Sequence, residues 1–124
     1  MLEHRDLTNR IIGLAIEVHR IVRPGLLWPV YAGCLSAELE HAGIPLQREV
    51  MVPVIYKGKT IQLGFHADIL VANLILLEIK AVATLLPVLD AQILTYLRMS
   101  QIRVGLLLNF HAVRLKDGLR RFIL

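Results

Sequence analysis

The stretch HADILVANLILLEIK, residues His66–Lys80, decides how this chain folds. Two apolar runs flank the pair Ala72-Asn73, and this pattern predicts two buried strands joined by a tight turn. Three charged side chains interrupt the apolar runs: Asp68 in the first strand, and Glu78 and Lys80 in the second. Because a buried charge is costly unless it is paired or binds an ion, these three residues are candidates for a functional site.

The segments around this hairpin predict an α/β fold. Helical spacing of apolar residues indicates helices over Leu7–Val22, Leu26–His41 and Pro87–Met99. Strand-like composition indicates strands over Glu49–Tyr56, Thr60–Val71 with a bend at Gly64, Leu74–Lys80 and Ile102–Phe110, and a terminal hairpin that turns at Lys116–Gly118. The order is ααβββαβ plus a C-terminal hairpin, which predicts a mixed β-sheet flanked by helices. No linker or repeat divides the sequence, so we expect one domain over residues 1–124.

Composition narrows the class of protein further. The 124 residues are 56% hydrophobic, which predicts a dense core, a homodimer interface or both. No apolar run approaches the ~20 residues of a membrane-spanning helix, and the charged start has no apolar segment of a signal peptide behind it. The lone Cys34 excludes an internal disulfide and favours a cytoplasmic protein. The net charge of +4 suits a nucleic-acid partner, although an ordinary basic surface would give the same value.

The three charged residues of the hairpin can form a metal site. Residues i and i+2 of a strand share a face, so Glu78 and Lys80 project together. A turn at Ala72-Asn73 places Asp68 opposite Leu77 and diagonally next to Glu78. The two carboxylates, the backbone carbonyl of Ile79 and several waters would suit Mg²⁺ or Mn²⁺, and Lys80 would orient a water or stabilise charge on a phosphate. The alternative is a salt bridge from Lys80 to one carboxylate.

A further motif follows this hairpin. Gln92 and Tyr96 lie one turn apart on the predicted third helix, so the chain reads D-x9-E-x-K and then Q-x3-Y. This series resembles the RecB-like branch of the PD-(D/E)xK nuclease superfamily. The segments IIGLAIEVHRIVRPGLL, ADILV and LEIKAV look like the small GxxExxY family of that superfamily. The resemblance implies a restriction-endonuclease-like fold and a Mg²⁺-dependent nuclease acting on DNA or RNA. It implies catalytic roles for Asp68, Glu78, Lys80 and Gln92, and metal binding by Asp68, Glu78 and the Ile79 carbonyl.

The chain departs from that family at one position. Gly25 and Tyr31 match the GxxExxY pattern, but Trp28 stands where the family has Glu. Glu17 could supply the missing carboxylate, and Tyr31 and Tyr96 are possible accessory residues. Trp28 itself is a plug, an interface anchor or a surface on which a base stacks. A non-catalytic nucleic-acid-binding module and a dimeric protein-interaction module on a degenerate nuclease fold therefore stand beside the nuclease as alternatives.

Overall fold

The computed structural model describes residues 4–124, except for the side chains of residues 62 and 63. Its helices are α1 (Arg5–Val22), α2 (Trp28–His41) and α3 (Val88–Ser100). Its strands are β1 (Leu46–Tyr56), β2 (Lys59–Val71), β3 (Ile75–Lys80), β4 (Val104–Asn109) and β5 (Leu119–Ile123). The predicted order ααβββαβ is confirmed, with element ends that shift by a few residues. Within residues 4–124, no helix is both long and apolar enough to cross a membrane.

The five strands form one mixed sheet in the order β1-β2-β3-β4-β5. All neighbours are antiparallel except β3 and β4, which run parallel and are joined through α3. Helices α1 and α2 cover one face, where Ile69, Leu77 and Ile79 of the sheet are buried. Helix α3 packs on the other face through Ile93 and Leu97. Alternate residues of β3 therefore enter different cores, and its five buried residues reflect coverage on both faces.

The register of the β2–β3 hairpin differs from the predicted one by one residue. Ala72 and Asn73 form the turn with left-handed backbone conformations, as a tight hairpin requires. Leu74 is an additional residue after the turn, so Val71 pairs with Ile75 and Ile69 with Leu77. The predicted pairing of Asp68 with Leu77 is therefore wrong, because the extra residue shifts the whole ladder.

Strands β2 and β3 separate beyond the pair Ile69 and Leu77. The pairing of β2 with β3 stops at these two residues. The rest of β2 pairs only with β1, as far as the two-residue turn after Tyr56. A register shift between β1 and β2 lies opposite Gly64, where the sequence predicts a bend. A Cβ at Gly64 would overlap the carbonyl oxygen of Val52, so only glycine fits this approach of the two backbones. The end of β3 that carries Glu78 thus pairs with β4 on one side and has no paired strand on the other.

The C-terminal hairpin differs from its prediction in one arm. Strand β5 forms and pairs antiparallel with β4, but the residues predicted as its partner are bends followed by a 3-10 helix at Leu115–Gly118. Leu115 is buried in the core beneath α1 and α2, which pulls this segment off the sheet. Gly118 lies so close to the Asn109 carbonyl that a Cβ would not fit. Burial of one leucine thus overrides the local hairpin pattern.

Candidate active site

Asp68 lies on β2 at the point where this strand leaves β3. Its Oδ2 atom accepts a hydrogen bond from the backbone N–H of Ile79 at 2.7 Å. The carboxylate thereby satisfies a donor that has lost its partner strand. Burial raises the pKa of Asp68, and the negative charge of Glu49 raises it further, while the Ile79 hydrogen bond and Lys80 oppose the increase.

Glu78 lies on β3, beside this bend, and its side chain is only 7% exposed. Its Oε1 atom is buried and has no hydrogen-bond partner among the described residues. Burial, and then the charge of Asp68, raise the pKa of Glu78 to about 7, against the opposing effects of Lys80 and the Asp68 backbone N–H. A buried carboxylate oxygen without a protein partner is costly, so a cation or water bound there would stabilise it.

Lys80 follows Glu78 on the same face of β3. Its Nζ atom lies 3.9 Å from Glu78 Oε2, which is the outer limit for an ion pair. The salt bridge considered from the sequence is therefore present but loose, and it leaves Glu78 Oε1 unpaired. A lysine that is partly exposed and not fully engaged by a carboxylate can still contact a ligand.

The end of β3 is anchored by Asn109, which the sequence analysis missed. Phe110 N–H donates to the Lys80 carbonyl at 2.8 Å, and the Asn109 amide makes bonds of 3.1 and 2.9 Å with the N–H and carbonyl of Val82. Asn109 Oδ1 also accepts from the N–H of His111 at 3.2 Å. These bonds fix the backbone on both sides of Lys80. A buried Asn at the end of an apolar strand was the available sequence signal.

Of the two motif residues on helix α3, Tyr96 lies close enough to Glu78 and Asp68 for their charges to act on it. Tyr96 stacks on Phe65 with ring centroids 3.7 Å apart, and burial followed by the charges of Glu78 and Asp68 raises its pKa. The Tyr96 hydroxyl therefore lies within the field of the site. Gln92 is one turn earlier on the helix and is exposed. Its positioning role stays a prediction.

A groove of about 370 Å³ opens beside Asp68, lined by Trp28, Glu49, His66 and Asp68. We call it the Asp68 groove. Trp28 is 40% exposed, which excludes the role of a buried plug. Glu49 was missed by the sequence reasoning. Its backbone has an unusual left-handed conformation, with φ of 51°, and it is the residue of β1 between Arg48 and Val50 that has no paired residue on β2. No local pattern in the sequence indicates that conformation.

The other two accessory candidates lie in different surroundings. Glu17 on α1 pairs with Arg20, with 2.7 Å between the carboxylate and the guanidinium. Tyr31 is fully buried under the turn between α1 and α2, where its hydroxyl donates to the Arg23 carbonyl and accepts from the Leu26 N–H. Tyr31 thus supports the turn that precedes Trp28. A role for Glu17 as a replacement ligand stays a prediction.

The donor set fits a magnesium ion that relies mainly on water. In the part of the chain that the structure describes, no group of three or more His, Cys, Asp or Glu side chains is arranged to hold a metal. Asp68 and Glu78 are neighbouring carboxylates; Asp68 lines the groove, and the buried Glu78 has an unpartnered oxygen. Mg²⁺ in proteins is commonly held by one or two carboxylates, several waters and substrate phosphates. The site therefore suits Mg²⁺ bound together with a phosphate-containing ligand.

Comparison with known protein families agrees with this arrangement. A family model described as the PD-(D/E)XK nuclease superfamily matches residues 5–122. The chain belongs to this superfamily, and its three-layer mixed sheet is the restriction-endonuclease-like fold predicted from the sequence. Neither the comparison with curated proteins nor that with solved structures returned a match. Membership of the superfamily indicates a nuclease-like function.

Proposed function

We propose that the protein is a Mg²⁺-dependent, nuclease-like phosphodiesterase that acts on nucleic acid. The observation that carries this proposal is the buried Glu78 Oε1 atom without a partner, beside Asp68, where β2 and β3 separate. Burial raises the pKa of both carboxyls, and the charge of Asp68 raises that of Glu78 further, so the pair is destabilising when ionised unless a cation lies beside it. A divalent cation would also attract the phosphates of a polyanion.

The residues of the site would have different chemical roles. Asp68, Glu78 and the backbone carbonyl of Ile79 would hold Mg²⁺ or Mn²⁺, which when bound polarises a phosphate oxygen and acidifies water. Asp68 already accepts the Ile79 N–H, so its orientation is fixed before a metal binds. Lys80 holds a positive charge beside Glu78 and stabilises negative charge that develops on the phosphate. Gln92 would position the attacking water or the substrate.

We also propose that the chain is a member of the GxxExxY family within the RecB-like branch of the superfamily. The residue that replaces the family's Glu, Trp28, lines the same groove as Asp68. A carboxylate at position 28 would thus lie beside Asp68. Its absence predicts a metal affinity lower than that of a site with three carboxylates.

A calorimetric titration with Mn²⁺ tests the metal site without knowledge of the substrate. We expect binding by the wild type, loss of binding in Asp68→Asn, and unchanged binding in the control Asp90→Asn, which removes a carboxylate that pairs with Arg120 on the surface. Trp28→Glu should bind more tightly than wild type, and the neutral control Trp28→Gln should not. A folded wild type that binds no Mn²⁺ at pH 8 would contradict the metal site.

Cleavage is tested separately with single-stranded and duplex DNA and RNA in Mg²⁺. Lys80→Met should abolish cleavage and keep Mn²⁺ binding, because Lys80 supplies charge to the phosphate and is not a metal ligand. If the wild type binds nucleic acid in a salt-dependent way without cutting it, the non-catalytic binding module is the better description. The replacement of the family's Glu by Trp28 favours that second candidate.

A further inference from the structure

Trp28 occupies a place where a tryptophan would normally be buried. The core-facing residues of α2 are Tyr31, Ala32, Leu35 and Leu39, and position 28 continues this stripe by one turn toward the helix start. The indole is nevertheless 40% exposed and lines the Asp68 groove. The ring therefore extends past the packed core into the opening next to Asp68.

The turn that carries Trp28 is held firmly. The Tyr31 hydroxyl donates to the Arg23 carbonyl at 2.7 Å and accepts from the Leu26 N–H at 3.0 Å. The Tyr31 ring is stacked on Phe110 with centroids 4.7 Å apart, which ties the turn to the end of β4. Pro29 then fixes the backbone of the first helical turn. Trp28 is thus displayed from a rigid support, and little conformational entropy is lost when a ligand packs on it.

The chemistry of the groove selects the kind of ligand that would cover the ring. Glu49 and Asp68 place negative charge beside the indole, so a purely apolar peptide side chain would have to desolvate two carboxylates. A nucleobase has polar edges for such neighbours and a π-face for the indole. In a duplex both faces of a base are covered by adjacent bases, whereas an unpaired base has a face free.

We propose that Trp28 stacks on an unpaired nucleobase next to the phosphodiester group that reaches Asp68, and that the protein therefore prefers single-stranded nucleic acid. This inference rests on the proposed action on nucleic acid. It assigns a specificity-determining role to the residue that replaces the family's Glu. The exchange thus replaces a carboxylate with a stacking surface in the same groove.

The fluorescence of the protein tests this directly, because Trp28 is its only tryptophan. The probes are a short single strand, the same sequence as a duplex, and a matched strand of abasic nucleotides that keeps the phosphates. Titrations are made at low salt in EDTA, so that metal binding and cleavage do not contribute. Binding is followed in parallel by the anisotropy of a dye on the strand.

We expect the single strand to quench Trp28 emission and the duplex and abasic strand to leave it unchanged. By anisotropy, Trp28→Leu should weaken single-strand binding by roughly tenfold or more, and Trp28→Phe should largely keep it. The control is Tyr56→Leu, which removes an aromatic ring of 60% exposure at the β1–β2 hairpin. Its affinity should match that of the wild type.

Three contrary results separate this inference from the proposed function. If the strand binds by anisotropy, but without quenching and equally well to Trp28→Leu, stacking is refuted and action on nucleic acid survives. Equal quenching by the abasic strand also refutes stacking, because no base is then required. If no strand binds the folded protein either in EDTA or in Mg²⁺, both the inference and the nucleic-acid substrate fail.

Discussion

Replacing Glu78 by glutamine should stabilise the folded protein at alkaline pH. In the folded state the pKa of Glu78 is about 7, against 4.5 for an ordinary glutamate. Between these values the folded protein holds a proton that the unfolded chain has released. Stability therefore falls as pH rises through this window, and the loss is complete above the folded-state pKa.

The size of the effect follows from the two pKa values. A difference from 4.5 to about 7 corresponds to about 1 kcal/mol lost by pH 5, about 2 kcal/mol by pH 6 and about 3 kcal/mol by pH 8. Glutamine has nearly the same shape and never ionises, so Glu78→Gln should avoid this loss. The two proteins should be similarly stable at pH 4.5 and differ by about 3 kcal/mol at pH 8.

Urea unfolding from pH 4.5 to 9 in EDTA measures this difference. The control is Glu17→Gln, which removes the same charge from an exposed ion pair whose glutamate pKa is lowered, so its effect should have the opposite sign. Parallel pH profiles for wild type and Glu78→Gln would refute the reasoning. So would a variant that is less stable than wild type at pH 8, because the ionised carboxylate would then be a favourable partner in the fold.

Three further changes test the surroundings of the site. Asp68→Ala should cost about 1–3 kcal/mol in urea unfolding because it leaves the Ile79 N–H unpaired, whereas Asp68→Asn keeps an acceptor and should cost less; equal losses would contradict this. Glu49→Gln should lower the pKa of Asp68, measured by carboxyl NMR titration, and an unchanged value would show that the two groups do not interact. Tyr31→Phe should also cost about 1–3 kcal/mol, and an unchanged urea midpoint would show that its hydroxyl does not hold the turn before Trp28.

The fold could be predicted from local pattern to a large extent. Apolar spacing identified all three helices, and the Ala72-Asn73 turn identified the β2–β3 hairpin. The additional Leu74 after that turn changed the register by one residue, and local pattern contains no signal for it. The C-terminal segment failed for another reason, because burial of Leu115 competes with pairing and wins.

The predicted neighbours Asp68, Glu78 and Lys80 lie close together, but their pairing differs from the predicted one. Asp68, Glu78 and Lys80 meet at the end of the hairpin, with a pairing that stops at Ile69. Catalysis by these residues, the magnesium ion, a homodimer and a cytoplasmic location stay predictions. Only the tertiary structure shows that Glu49 and Asn109 belong to the site. Glu49 lines the groove with a left-handed backbone conformation, and Asn109 anchors the end of β3 by hydrogen bonds to Val82.

The sequence by itself determined the class of fold, the charged residues within an apolar hairpin, and the single tryptophan at position 28. These features depend on residue type and spacing along the chain. Only the tertiary structure decided that Glu78 is buried with an unpartnered oxygen and that Trp28 faces Asp68 across a groove. Those facts depend on where β2 leaves β3 and where α2 begins relative to the sheet. Distant segments set both, so no local pattern could contain them.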